Sequence, residues 1–434
     1  MIFLPIILGI VLLVLLVTLV KLDTFISFML VCLFVGLASG LSITESVAAI
    51  QLGIGNTLGS LVIILGFGAM LGKLVAESGA ANKITDQLVQ SFGMKNIQWA
   101  MIVTGFIVGI PMFYTVGFVI LVPLAIAIAH KTKLSLLYIG LPMLASLSVT
   151  HGFLPPHPAP TAITEMYQAD LGLTLLYGIL VGIPAILSAK FLLAGTMKRI
   201  KPTLLKEFLP EEQSDEFQTP ALWVCLVIGL LPVILIGGSA LITALGLSHP
   251  IISSIGNPTI AMLLSVLAAI YFLGIRTGRS MTQVRKILAS SIAGIALILL
   301  IIGGAGALKQ IMIATEISDE IGQALSSLGM SPILLAWVIA ALIRVSVGSA
   351  TVAGLTAASI MMPMVGTAGV APELLVLATG AGSITFSHIN DGGFWLFKEY
   401  FNLSIKETLQ SWTLMETTVS VVGLLGVLLL NVLI

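Results

Sequence analysis

Residues 148–160 read SVTHGFLPPHPAP, inside a stretch of about 134–168 that is otherwise apolar. Proline lacks an amide hydrogen and its ring clashes one turn back, so no helix runs on through Pro155, Pro156, Pro158 and Pro160. The flanks nevertheless read as one long membrane helix. Unpaired backbone at membrane depth is tolerated only where it is buried in protein or lines a wet cavity. The stretch is therefore an interrupted transmembrane helix beside a polar site, and Ser148, Thr150 and His151 stand just before the interruption.

The composition agrees. The chain has 434 residues, 58% hydrophobic and 9% charged, with a mean hydropathy of +1.15. A soluble domain carries roughly 25% charged residues, so the lipid bilayer is the expected surrounding. Zero net charge gives no reason to expect nucleic acid as a partner. Cys32 and Cys225 lie in apolar runs and read as packing residues, without metal or disulfide. The first apolar run, 2–20, lacks a basic start and a small-residue cleavage site, so it reads as the first helix and not as a signal peptide.

At about 20 residues per span, helices are expected near 2–20, 22–40, 56–77, 134–168, 172–196, 220–240, 257–275, 287–313, 372–400 and 410–433. Two further stretches, about 99–129 and 332–363, are too long for one span and too short for two. They read as re-entrant hairpins. Basic residues test this map. With 197–219 inside, Lys198, Arg199, Lys201 and Lys206 share that side with Lys21, Lys83, Lys95, Lys131 and Lys133. Arg276, Arg279, Arg285, Lys286, Lys398 and Lys406 join them, while Lys309 falls outside. Glu45, Glu165, Asp170, Glu316, Asp319, Glu320 and Glu373 fall in outer connections. Both termini are then expected outside.

The halves echo each other. ILGFGAML (64–71) parallels IIGGAGAL (301–308), and YIGLPMLASLSVTHGFLPPH (138–157) parallels LLVLATGAGSITFSHINDGG (374–393). The expected fold is an all-α polytopic membrane protein made of an inverted repeat. Each half has about five crossings, one of them broken, plus one hairpin. The first repeat is 1–196 and the second 220–434, joined by a polar cytoplasmic linker, 197–219.

Four segments carry the candidate chemistry. In VGIPMFYTVGFVIL (108–121), Pro111 ends one arm, Gly117 permits the return, and Tyr114 and Thr115 sit near the tip. In 148–160, His151 either relays a proton, hydrogen-bonds a substrate hydroxyl or simply packs; His157, past the break, reads as structural. In RVSVGSATVAGLTAAS (344–359), Gly348, Ser349, Ala350 and Thr351 form a small polar tip. Arg344 there either meets a substrate carboxylate, forms a structural ion pair or snorkels. In SITFSHINDGGFW (383–395), Ser383, Thr385, Ser387, His388, Asn390 and Asp391 cluster before two glycines. Asp391 reads as the most deeply placed acid, either carrying a coupling proton or holding Arg344. His388 and His151 are the other proton candidates. The set suits a small hydroxylated anion. The proteolytic and nucleophilic patterns of an intramembrane enzyme, such as HExxH, are absent from the sequence.

The chain resembles the gluconate permease family, within the wider ion transporter superfamily. The resemblance is carried by GFGAMLGKL (66–74), SVTHGFLPPHPAPTAI (148–163), GSATVAG (348–354) and FSHINDGGFWLFKEYFNLS (386–404). It implies import of gluconate or a related aldonate or uronate with a proton as the coupling ion and no other cofactor. It also implies an inner-membrane location, a homodimer and an elevator-type movement of hairpins and broken helices. Carriers of D-serine and other small acids belong to the same family, so the resemblance leaves the anion open. Thr115 stands where many relatives have glutamate, which puts proton coupling through that position in doubt, and Ala159 stands where glycine is common.

Overall fold

A computed structural model describes residues 4–203, 217–247, 249–317, 327, 329–366 and 369–434. Part of the expected linker (204–216) and two of the outer acids, Asp319 and Glu320, lie outside the described residues. Every regular element among the described residues is helical. The first half contains α1 (Leu4–Thr18), α2 (Thr24–Ala38), α3 (Ile43–Glu77), α4 (Ala80–Phe92), α5 (Ile97–Gly109) and α6 (Tyr114–Thr132). It continues with α7 (Leu136–Phe153), α8 (Pro158–Met166), α9 (Leu171–Leu192) and the short α10 (Ala194–Arg199). The second half contains α11 (Leu222–Ala244), α12 (Pro250–Gly256), α13 (Pro258–Thr277) and α14 (Met281–Ala314). It ends with α15 (Pro332–Val347), α16 (Ala350–Met361), α17 (Pro372–Ile384), α18 (Gly392–Tyr400) and α19 (Ile405–Leu433). Eight helical stretches among the described residues are long and apolar enough to cross a membrane.

The frame is the pair α3 and α14, 35 and 34 residues long. At 1.5 Å per residue each spans about 50 Å. Both begin earlier than the apolar pattern suggests, at 43 and 281 where helices were expected from 56 and 287. The reason is local. Ser42 and Glu45, and likewise Ser280 and Gln283, form reciprocal capping boxes that satisfy the first amides before the apolar run begins. The two helices run antiparallel: Gly53 lies against Gly306, and Gly66 against Ile292. A Cβ on Gly53 would stand 2.4 Å from the Gly306 carbonyl oxygen, so the close approach needs glycine.

Two antiparallel helix pairs and two interrupted helices fill the interior. α5 and α6 are joined by Ile110–Phe113. The sequence placed the return at Gly117, but Gly117 sits one turn inside α6, where a Cβ would meet Leu147 at 2.9 Å. α6 is itself 19 residues long and apolar enough to span. α15 and α16 are joined by Gly348 and Ser349. Gly348 closes α15 in the left-handed region (φ +79°), and a Cβ there would stand 2.2 Å from the Asn390 carbonyl oxygen.

α7 is buried on every side except at Tyr138 and His151, and α17 everywhere except Pro372. Helices apolar all round belong in an interior, and these two cross at it. A Cβ on Gly380 would be 2.2 Å from the Gly152 carbonyl oxygen. The outer faces of α1, α11 and α19 expose Ile7, Leu8, Val227, Ile234, Leu425 and Leu429, as lipid-facing helices do.

Candidate functional site

The C-terminal end of α7 and the interruption after α17 face a single cavity of about 560 Å³. Its wall is made from the ends of helices. Phe113–Thr115 begin α6, Pro158 begins α8, Gly348–Thr351 turn from α15 into α16, and Asn390–Gly393 lead into α18. Ser148 and His151 enter from α7, Trp412 and Glu416 from α19, and Ile298 from α14.

The first amides of a helix have no partner within it. In α6 the first backbone bond runs from Gly117 to the Phe113 carbonyl, and no side chain caps the amides before it. In α16, Ser349 accepts from Val352 N at 3.4 Å and Ala353 N bonds the Ser349 carbonyl, leaving the amides of Ala350 and Thr351 beyond the ladder. Both ends open on the cavity, and helix N-termini favour anions.

Arg344 is the cation of the site and is 4% exposed. Its Nη2 donates to Asp391 Oδ2. Asp391 also accepts from Ser387 Oγ and, through Oδ1, from Gly393 N at 2.9 Å. Ser387 in turn accepts from Trp412 Nε1 at 2.7 Å. Of the two roles open to Asp391 from sequence, the geometry displays the second: it holds Arg344. The Nε and Nη1 of Arg344 are buried with no hydrogen-bond partner among the described residues. A guanidinium held through Nη2, with Nε and Nη1 unpaired beside a helix N-terminus, can donate to a carboxylate oxygen from either free nitrogen.

Ten of the sequence candidates share this cavity: Tyr114, Thr115, Ser148, His151, Arg344, Gly348, Ser349, Thr351, Asn390 and Asp391. His151 Nδ1 is buried and unpartnered, and its ring lies 5.5 Å from Tyr114. Gly117, Thr150, Ser383, Thr385 and His388 do not line it. Thr150 and Ser383 donate to carbonyls one turn back, Leu147 at 2.9 Å and Gly380 at 2.8 Å. His388 and Asn390 bond the Val345 carbonyl at 3.1 and 2.8 Å, closing the C-terminal turn of α15. His157, fully inside, contacts the Gly109 carbonyl at 2.8 Å through Nε2 and ties the proline break to the α5–α6 turn.

The expectation that Asp391 is the deepest acid is corrected. Glu416 is 4% exposed, against 17% for the Asp391 side chain. It accepts from Ser148 Oγ and has no cation bonded to it among the described residues. An acid in the run LMETTVS (414–420) of an apolar helix is the signal that could have found it.

Comparison with known proteins places this geometry. The chain is 46% identical over 430 residues to a high-affinity gluconate transporter of Escherichia coli (strain K12), covering 98% of each chain. It is 43% identical to the Gnt-II system L-idonate transporter of the same organism, over 98% of this chain and 97% of that one. It is 44% identical to a gluconate permease of Bacillus licheniformis, again over 98% of each. Among solved structures, the YdaH transporter of Alcanivorax borkumensis superposes with a TM-score of 0.67 at 16% identity, over 94% of this chain and 97% of that one, a likeness of fold alone. The family model described as GntP family permease matches residues 1–433, so the chain belongs to the GntP family and is a multi-pass membrane transport protein, not an enzyme.

Proposed function

We propose that the protein imports gluconate or a closely related sugar acid together with a proton, by alternating access of the elevator type, as a homodimer in the inner membrane with both termini outside. One observation carries the substrate reading: the buried guanidinium of Arg344 keeps Nε and Nη1 unpaired, in a cavity that the N-terminus of α16 also faces. The substrate carboxylate binds there. Ser148, His151, Thr115 and the start of α6 meet the hydroxyls. A volume of about 560 Å³ falls within the roughly 300–1,000 Å³ of small-ligand sites. The gluconate and L-idonate transporters among the relatives support the hexonate class. The matched order of elements, with α3 and α14 crossing antiparallel at paired glycines, supports an inverted repeat whose hairpins and broken helices move against that frame.

Uptake of labelled gluconate into vesicles tests the reading. An inward proton gradient is expected to drive accumulation, with unlabelled hexonates competing and D-serine not. Accumulation undiminished by an uncoupler would remove symport, and displacement by D-serine but not by hexonates would remove the substrate class.

A further inference from the structure

We propose that Glu416 is the coupling group: it must take up a proton before the cavity can hold a sugar-acid anion, one proton for one carboxylate. This rests on the symport reading and names its residue. The argument is one of charge and partners. Asp391 has both carboxylate oxygens engaged, by Arg344, Ser387 and Gly393. His388 is taken up by the Val345 carbonyl and lies off the cavity. Glu416 is different. It is buried, bonded to one neutral hydroxyl on another helix, and set in the cavity wall.

The polar and titratable groups that line the cavity with Glu416 are Ser148 and His151 from α7, Tyr114 and Thr115 from α6, Arg344 from α15, Ser349 and Thr351 beside it, and Asn390 and Asp391 from the turn before α18. Their fixed charges are one cation and one anion, already paired. An ionised Glu416 and an incoming carboxylate would then share one cation whose charge Asp391 already offsets. In a medium of low dielectric two like charges at such range repel strongly. Protonated, Glu416 instead presents an O–H and a carbonyl oxygen to Ser148 and to substrate hydroxyls. The substrate and the ionised carboxylate exclude one another, and that exclusion is what couples the two fluxes.

Gluconate binding to the purified full chain, measured between pH 6 and pH 9, tests this in the wild type, Glu416→Gln and Glu416→Asp. Linkage to a single proton makes wild-type affinity fall up to about tenfold per pH unit through the titrating range. Glu416→Gln is expected to vary less than threefold across the whole range, and Glu416→Asp to restore the dependence. A Gln variant as pH-dependent as the wild type overturns the assignment. A wild type with no pH dependence removes the symport reading itself, and the assignment with it. Should the variants not fold, dicyclohexylcarbodiimide on the wild type decides, because it modifies protonated carboxyl groups in apolar sites. An adduct at Glu416 that forms at pH 6 and is suppressed at pH 9 supports the proposal, and its absence or pH-insensitivity overturns it.

Discussion

The interruption after α7 and the interruption after α17 each follow a pair of helices joined by a short turn, yet they are built from opposite materials. Leu154–His157 is buried throughout and broken by proline, which needs no partner for an amide it lacks. Among the described residues, its side-chain hydrogen bond to another element is that of the His157 imidazole with the Gly109 carbonyl. Residues 385–391 keep all their amides and carry Ser387, His388, Asn390 and Asp391, with Phe386, Ile389 and Asn390 exposed. This break is held from outside: Trp412 donates to Ser387, Thr413 to the Ser387 carbonyl, and Arg344 to Asp391, while Phe386 N donates to Thr417. A break made of proline holds its shape by what the backbone cannot do. A break made of polar residues holds its shape only with partners, and those partners bring the charge. The site is therefore lopsided, with neutral groups from the first half facing an ion pair and a spare acid from the second.

The sharpest way to break this contrast is to remove the cation. Arg344→Ala removes the proposed anion contact and takes from Asp391 its ion-pair partner. Removing one partner of a buried pair costs about 3–5 kcal/mol, so gluconate uptake is expected to fall 100-fold or more, with expression matched by immunoblot. Asp391→Asn, which keeps one acceptor oxygen and so can still serve either Gly393 N or Ser387 Oγ, is expected to lower uptake less. Equal uptake in Arg344→Ala and wild type would show that the charged break is not where the anion binds.

Much of this was legible in advance. Four prolines at 155–160 and the polar clusters at 344–351 and 383–393 announce interrupted helices, because nothing else explains such groups in apolar surroundings. What spacing does not reveal is which face of a helix a polar group occupies. Thr150 and Ser383 sit at the expected depth but bond carbonyls of their own helices, a local satisfaction open to any helical Ser or Thr. Gly117 looked like a turn because glycine permits one, yet it serves close packing against Leu147. Glu416 is masked in the sequence because one acid hardly dents the apolarity of α19. The early starts of α3 and α14 were written in SITE (42–45) and SMTQ (280–283), polar signals that hydropathy discounts.

A smaller effect is expected where α7 and α17 touch, just ahead of the two breaks. Alanine at Gly380 drives its Cβ to 2.2 Å from the Gly152 carbonyl oxygen, a backbone atom that cannot turn aside. Alanine at Gly152 meets Ile384 Cγ2 at 2.9 Å, and that side chain can adjust. Overpacking of this kind costs about 1–3 kcal/mol, so Gly380→Ala should lower the thermal midpoint of the purified protein clearly more than Gly152→Ala. The reverse order would mean that the α17 backbone, and not that of α7, is the one free to shift.

The gentlest test is at His157. Leucine there fills similar space and deletes the contact with the Gly109 carbonyl, leaving a buried acceptor unpaired at a cost of about 1–3 kcal/mol. Glutamine, which can offer an amide to the same oxygen, should recover part of that loss. If the proline break is only a frame, His157→Leu lowers the thermal midpoint by a few degrees and leaves the KM for gluconate within twofold, because His157 lies outside the cavity wall. A raised KM with an unchanged thermal midpoint would mean that the α5–α6 turn, which His157 tethers through Gly109, sets the position of Tyr114 and Thr115 at the substrate. The first break would then belong to the binding machinery as much as the second does, and the division between frame and charged site would have to be redrawn along the α5–α6 turn.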